Sequence, residues 1–411
     1  MFPAASLLTT LLLALSIAAT PVEIRSPPVT LPFAKRINTS GGAINLVQHD
    51  QSRAAAIKDR GAAIQSGKMD RRAASIAVTN EAVSYIASVG VGNPATTYDL
   101  IVDTGSSNTW VGAATAYVKT STSTATGEPV SVTYGSGSFS GEEYIDTVTL
   151  GSGLTINQQS IGVASTSTGF QGVDGILGIG PEDLTQGTLT QETNTEIPTV
   201  TQNLFSQGTI SEIVVGVFFA PTTSQTDTNG ELTFGGTDST KYTGSITYTP
   251  VTTTSPATYY WGINESITYG STTILAETAG IVDTGTTLIL LASNAYTKYQ
   301  SATGATLDRT TGLLKLTTTQ YDALQNLNFN VGSVTYALTP NGQIWPRSLN
   351  TYIGGTTGSI YSIVNNLGSP SGEGLDFING QTFLERFYSV FDTTNNRVGF
   401  ATTSSTDATT N

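Results

Sequence analysis

Six residues occur twice in this chain with almost no change. Ile101-Val102-Asp103-Thr104-Gly105-Ser106 returns 180 residues later as Ile281-Val282-Asp283-Thr284-Gly285-Thr286. In each copy two β-branched apolar residues favour a buried strand, and an ionisable Asp then meets a Thr-Gly turn. A carboxylate placed there is costly unless it is hydrogen-bonded or functional. Thr supplies a hydroxyl, and Gly admits close approach of backbone amides. One such Asp reads as a satisfied turn residue; two with matching neighbours point to a shared site. If a pseudo-twofold axis relates the copies, Asp103 and Asp283 meet at it, too close for both to ionise easily, and share one proton. Such a pair can hold a water, one member acting as base while the other polarises a carbonyl. An amide is then hydrolysed with no covalent intermediate.

Other chemistries are removed by composition. The 411 residues include no Cys and a single His, His49, against 30 acidic residues. Disulfides, thiolate nucleophiles and Cys-based metal sites are excluded, and a Ser-His-Asp triad would have to use His49. No His/Asp/Glu cluster has metal-ligand spacing, so neither metal nor cofactor is expected.

The elements that must position the two aspartates are strands. Only 11% of residues are charged, and Thr, Ser, Gly and Tyr are abundant, which predicts a mainly β protein. From about residue 80, short apolar alternations such as Val132-Thr133-Tyr134 and Glu231-Leu232-Thr233-Phe234 are cut by turn residues. Helices are predicted at Ser293 to Thr303 and Thr318 to Asn326, with a short one in the Ala-rich stretch Arg53 to Ile64. The long repeat interval implies two similar lobes, placed at 73–250 and 251–411. A second pair supports them: Asp174-Gly175-Ile176-Leu177-Gly178 follows the first Asp, and Asp376-Phe377-Ile378-Asn379-Gly380 the second.

The region before residue 73 differs in kind. Leu7 to Ala19 is uncharged and of signal-peptide length, although no Lys or Arg precedes it, so residues 1–20 are expected to direct secretion. Residues 21–72 read as a removable pro-segment that contains His49 and two dibasic pairs, Lys35-Arg36 and Arg71-Arg72, in exposed linker suited to a processing protease. Residues 1–72 carry nine bases and four acids, whereas 73–411 carry 8 bases and 26 acids. The segment is therefore expected to lie on the acidic body and cover its cleft, with Lys35 and Arg36 among the contacts, until acid weakens the attraction. So acidic a body offers no nucleic-acid face. No later stretch reaches membrane-spanning length.

The motifs Asp103 to Trp110 (DTGSSNTW), Val132 to Gly141 (VTYGSGSFSG), Asp174 to Gly180 (DGILGIG) and Ile281 to Leu288 (IVDTGTTL) resemble those of pepsin-type aspartic endopeptidases, in order, over about residues 80 to 405. The resemblance implies a bilobal β fold with an interlobe cleft and polypeptide substrates. It casts Asp103 and Asp283 as the catalytic dyad, Ser106 and Thr286 as supporting hydroxyls, and Thr104 and Thr284 as interlocking beneath, beside Gly105 and Gly285. Tyr134, with Gly135 and Ser136, would form a flap over the cleft, the tyrosine hydroxyl reaching the Trp110 indole N–H. In similar fungal proteases an acid two residues after the flap tyrosine helps accept lysine. Ser136 stands there in this chain, which implies large apolar residues around the scissile bond. The resemblance also implies a monomer inhibited by its own pro-segment. This chain departs from the family in lacking disulfides and in Asn379, where an apolar residue is usual.

Weaker signals remain. Gly90 to Ala95 fits a dinucleotide-binding pattern formally but precedes a strand, as a hairpin turn would. Asn38 and Asn264 head glycosylation sequons; the first would leave with the pro-segment, and Asn264 is the candidate in the mature chain. Glycoside hydrolysis also uses two carboxylates, but nothing in it demands two equivalent Asp-Thr-Gly turns. A catalytically dead peptide-binding relative would be betrayed by loss of either Asp, and both are present.

Overall fold

The computed structural model describes residues 28–38, 42–67, 83–135 and 137–411. The predicted signal peptide, the Arg71-Arg72 pair and Ser136 lie outside them. Strands dominate, in sheets of thirteen, seven and three strands.

The internal repeat is visible as repeated pairing. The strand Thr96–Asp103 runs parallel to Gly175–Gly178, placing Ile101 opposite Ile176 and Val102 opposite Leu177. Gly175–Gly178 in turn pairs antiparallel with Thr109–Val111, which runs parallel to Leu154–Thr168. In the second lobe Thr272–Val282 runs parallel to Phe377–Asn379, with Ile281 opposite Ile378 and Val282 opposite Asn379. Phe377–Asn379 pairs antiparallel with Ile289–Leu291, which runs parallel to Val364–Asn366. Each Asp-Thr-Gly turn thus leaves a strand buried between neighbours whose apolar side chains make the core.

The thirteen-stranded sheet joins the lobes. Phe387–Asp392 and Arg397–Thr402, from the end of the chain, continue it beside Val214–Phe218 from the first half. Strand β1, Val29–Ile37, is inserted in its middle, between Thr226–Phe234 and Val83–Val91. The Lys35-Arg36 pair is accordingly not in an exposed linker: Lys35 is 1% exposed and donates to Glu385 Oε1 at 2.5 Å. The buried carboxylate also accepts from the Tyr85 hydroxyl at 2.8 Å, and Arg36 bonds Asp99 at 2.6 Å. Pairing of β1 on both edges holds this stretch in the sheet, with Lys35 buried and Arg36 half-exposed.

Helix α1, Leu46–Ser66, extends well beyond the Ala-rich stretch. Asn45 caps its start by accepting from the Gln48 N–H, and Gly67, at φ +62°, closes it in the left-handed conformation. Its inward face is Leu46, His49, Asp50, Arg53, Ala54, Ile57 and Gly61, a single stripe at helical spacing in which three of the seven residues are polar. The helix predicted at Ser293–Thr303 is present, Thr318–Asp322 is shorter than expected, and Val200–Ser206 is additional. Among the described residues no helix is long and apolar enough to cross a membrane.

Candidate active site

The two Asp-Thr-Gly turns meet. Thr104 N–H donates to Thr284 Oγ1 and Thr284 N–H to Thr104 Oγ1, both at 2.9 Å. Each hydroxyl then donates across to the strand of the other lobe, Thr284 to Val102 O at 2.9 Å and Thr104 to Val282 O at 3.3 Å. Every donor in this knot is buried and satisfied, so it fixes the lobes to one another.

Above the knot, Asp103 and Asp283 are held alike. Gly105 N–H donates to Asp103 Oδ1 at 2.9 Å, and Ser106 Oγ to Oδ2 at 2.5 Å. Gly285 N–H donates to Asp283 Oδ1 at 3.1 Å, and Thr286 Oγ1 to Oδ2 at 2.6 Å. Approach is so close that a Cβ on Gly105 would stand 2.6 Å from Asp283 Oδ1, and one on Gly285 2.7 Å from Asp103 Oδ1. Only glycine fits at these two positions.

A guanidinium lies between the carboxylates. Arg53 of α1 donates from Nη2 to Asp103 Oδ1 at 2.5 Å and to Asp283 Oδ1 at 2.9 Å, and from Nε to Asp283 Oδ2 at 2.7 Å. Its bidentate grip on Asp283 makes the pair unequal. Burial pushes the Asp103 carboxyl up, Arg53 opposes the rise and Asp283 adds to it. Burial acts to raise Asp283 too, but Arg53 and Thr286 hold it below the usual carboxylate range.

The rest of α1 fills the cleft. Ile57 O accepts from the Tyr260 hydroxyl at 2.8 Å, Arg60 donates to Leu184 O at 2.9 Å and to Gln186 O, and Lys58 contacts Glu373. His49 Nδ1 lies 2.9 Å from Asp50 Oδ1, and Asp50 Oδ2 accepts from Leu288 N–H at 2.7 Å. A cavity of about 40 Å³ lies beside the paired aspartates, bordered by Tyr134, Val132, Leu184 and Tyr260.

Tyr134 and Gly135 sit at the tip between Thr124–Thr133 and Ser138–Gly151, over Arg53. The expected bond from the Trp110 indole N–H to the Tyr134 hydroxyl is not made: Trp110 Nε1 has no partner among the described residues, and the ring centroids are 6.5 Å apart. The tip rests on the helix, since a Cβ on Gly135 would lie 2.2 Å from Arg53 Cα. Asn264 is exposed on Gly262–Tyr269, its Oδ1 accepting from Thr252 at 2.8 Å.

Several contributors escaped sequence reasoning. Arg53 was one base among nine, though its place in an Ala-rich helix was a usable sign. Glu265, inside the Asn264 sequon, is fully buried and accepts from Asn379 Nδ2 at 3.2 and 3.0 Å. Among the described residues no cation offsets it, and burial pushes its carboxyl up to about 8.

A two-lobed β fold with a paired Asp-Thr-Gly centre defines a class, and comparison with known proteins agrees. Residues 84–403 match the family described as eukaryotic aspartyl protease. The chain belongs to that family and is an aspartic-type endopeptidase. It is 69% identical to polyporopepsin of Irpex lacteus over 340 residues, which cover 82% of this chain and all of the relative. It is 31% identical to pepsin A of Sus scrofa over 338 residues, 77% of this chain and 80% of that one. The crystal structure of an aspartic proteinase from Irpex lacteus superposes with a TM-score of 0.80 at 60% identity, covering 93% of this chain and 100% of the other.

Proposed function

We propose that this chain is a secreted acid endopeptidase, made as an inactive precursor, in which Asp103 and Asp283 activate water. The observation that carries the reading is Arg53, whose one nitrogen bonds both carboxylates. A guanidinium there neutralises the dyad and occupies the place of water and scissile amide. With Arg53 withdrawn, two buried carboxylates on one axis retain a shared proton.

Water held between them gives a proton to the ionised member as its oxygen attacks the peptide carbonyl. The carbonyl oxygen takes the proton of the other member. The resulting gem-diol collapses as the member that took the water's proton passes it to the nitrogen, the C–N bond breaks, and a gem-diol hydroxyl returns its proton to the other member, leaving a carboxylic acid, an amine and a singly protonated dyad. The knotted threonines hold the carboxylates in position for both steps. Both aspartates come from one chain, so a monomer suffices.

Apolar preference around the scissile bond is supported by what α1 puts there, Ala56 and Ile57 against Val132, Tyr134, Leu184 and Tyr260. The segment is held to the body by the ion pairs Lys58–Glu373, Lys35–Glu385 and Arg36–Asp99, and acid loosens it because carboxylates as a class gain protons as pH falls while lysine and arginine keep theirs. Cleavage near Arg72 follows, giving a mature chain that begins around Ala73 or Ala74 and contains no histidine. Leu7 to Ala19 is the secretion signal, and exposed Asn264 is the glycosylation candidate of the mature chain.

The test is to express residues 21–411 and follow activity and terminal sequence from pH 7 to 3 by peptide digestion and mass spectrometry. Latency at pH 7, conversion on acidification and cuts between large apolar residues are expected. Full activity with the segment still attached would overturn the latch, and cleavage dominated by lysine would overturn the substrate preference.

A further inference from the structure

Helix α1 places three bases along the cleft, and they are received by different chemistry. Arg53 meets carboxylates of the dyad, and Lys58 meets the carboxylate of Glu373 on the second lobe's rim. Arg60 is met by backbone: its Nη2 donates to two main-chain carbonyls, Leu184 O at 2.9 Å and Gln186 O. The carbonyls belong to the short 3₁₀ turn Glu182–Thr185 and the residue that closes it, on the first lobe. A helix end leaves its last carbonyls without partners inside the helix, which makes them acceptors available to a cation.

The turn is built without help from α1. Thr185 Oγ1 donates to Glu182 O at 2.8 Å and accepts from Ile197 N–H at 2.7 Å. Thr188 Oγ1 donates to Thr185 O at 2.7 Å and accepts from Asn108 Nδ2 at 3.0 Å. Gln186 N–H donates to Asp183 O at 3.2 Å. Thr185 is wholly buried. These bonds remain when the helix leaves, so the two carbonyls stay aimed at the cleft, a receptor formed in advance.

We infer that the mature cleft carries a guanidinium-accepting subsite made by the carbonyls of Leu184 and Gln186, which selects arginine in a substrate about three residues from the scissile bond. The inference rests on reading α1 as removable. Its position follows from geometry. Arg53 and Arg60 are seven residues apart, about 10 Å along a helix at 1.5 Å per residue. An extended substrate covers that distance in about three residues.

A carbonyl does not titrate. A carboxylate loses its hold on a cation as pH falls through its ordinary range, whereas this subsite keeps its acceptors at the acidity where the dyad works. The ionisable groups around it are Glu182 and Asp183 on the turn, and Tyr134 and Tyr260 facing from the flap and the second lobe. The two Arg60 bonds described use carbonyls rather than any of these side chains.

The experiment uses the full chain after acid treatment, with the Asp103→Asn chain as blank. Peptides with one apolar pair to cut carry arginine, citrulline or norleucine at each position up to four residues either side. Arginine should be preferred over norleucine about tenfold in kcat/KM at one position near the third, with citrulline between, and the ratio should be the same at pH 5 and pH 3. Cleavage with no arginine preference at any position overturns the subsite and leaves the proposed function standing. A preference that fades between pH 5 and 3 assigns recognition to a carboxylate and also overturns it. If no peptide is cut at all, the proposed function fails and takes the subsite with it.

Discussion

The lobes hold their aspartates by the same bonds but pack differently behind them. In the first lobe Ile86 pairs with Ile101 and Val89 with Tyr98; in the second Gly262 pairs with Ile281 and Glu265 with Thr278. Val89 and Glu265 therefore occupy equivalent places, as do Leu177 and Asn379 opposite Val102 and Val282. All four are completely buried. Where the first lobe has two apolar side chains, the second has a carboxyl and an amide bonded to each other. Asn379 also reaches the site through its backbone, its carbonyl accepting from Asp283 N–H at 3.1 Å. Identical geometry at the two paired carboxylates is thus compatible with unlike support beneath, because the threonine knot sets their separation directly.

The sharpest way to break the equivalence of the aspartates is to remove one acid at a time. Asp103→Asn and Asp283→Asn should each lower activity by at least about 1,000-fold, since an amide cannot take up or share the dyad proton. Circular dichroism should be unchanged, because each Asn Oδ1 can still accept the Gly N–H while its Nδ2 donates to the Ser106 or Thr286 hydroxyl oxygen. Activity near wild type in either purified variant would show that one lobe suffices.

Next in size is Arg53, which treats the two aspartates unequally. Arg53→Ala in residues 21–411 should give peptide cleavage at pH 6 without acidification, with conversion at least about tenfold faster than the parent. Lys35→Gln with Arg36→Gln should act less, through the sheet rather than the dyad. Equal effects in time courses of both would relocate the latch to β1.

Much of this arrangement was legible in the chain itself. The doubled Asp-Thr-Gly, with the later Asp174 and Asp376 stretches, announced two related lobes because β pairing requires the same residue types in both. The path of α1 was hidden, since its buried stripe carries His49, Asp50 and Arg53, and an apolar period is what marks a packed helix in a sequence. Lys35 was expected to touch the body, as it does, but was placed in an exposed linker, because a dibasic pair signals exposure unless its partner is known and Glu385 lies 350 residues away. The Glu265–Asn379 pair likewise joins residues 114 apart. Asn379 stood out as a departure, but its partner could come only from the fold.

The unlike supports also titrate differently. Burial lifts Glu265 in the folded chain to about 8 from an ordinary 4.5. Below pH 4.5 both states hold the proton and nothing is gained or lost. Between 4.5 and 8 the unfolded chain releases it while the folded chain keeps it, so stability falls as pH rises. A glutamine in place of Glu265 would not titrate, and its amide can donate to Asn379 Oδ1, which has no partner among the described residues. Glu265→Gln in the inactive Asp103→Asn background should gain on the order of 2–3 kcal/mol at about pH 7 and nothing at about pH 4, read by thermal unfolding. Glu143 of the first lobe, pushed by burial to about 7 and bonded by Ser160, should give a smaller gain on the same substitution. A gain of equal size in acid and at neutrality would mean that packing, not the proton, is responsible.

The smallest effect isolates the pair that distinguishes the lobes. Asn379→Leu leaves the Glu265 carboxyl buried with no partner, and Glu265→Val leaves the Asn379 amide so; each should cost about 1–3 kcal/mol. Made together, they install in the second lobe the Val and Leu that the first already uses at these positions. No polar group is then stranded, and the double variant should cost less than the sum of the singles by about 1 kcal/mol or more. Because Asp283 is held by Gly285, Thr286 and the threonine knot, the double variant, made with Asp103 intact, should keep the parent's pH–activity profile. Strict additivity in unfolding under acid conditions would mean that Glu265 and Asn379 do not act as a unit. An additive result with a shifted pH profile would go further, showing that the amide reaches the reacting carboxylate and that the two lobes support their aspartates by different chemistry after all.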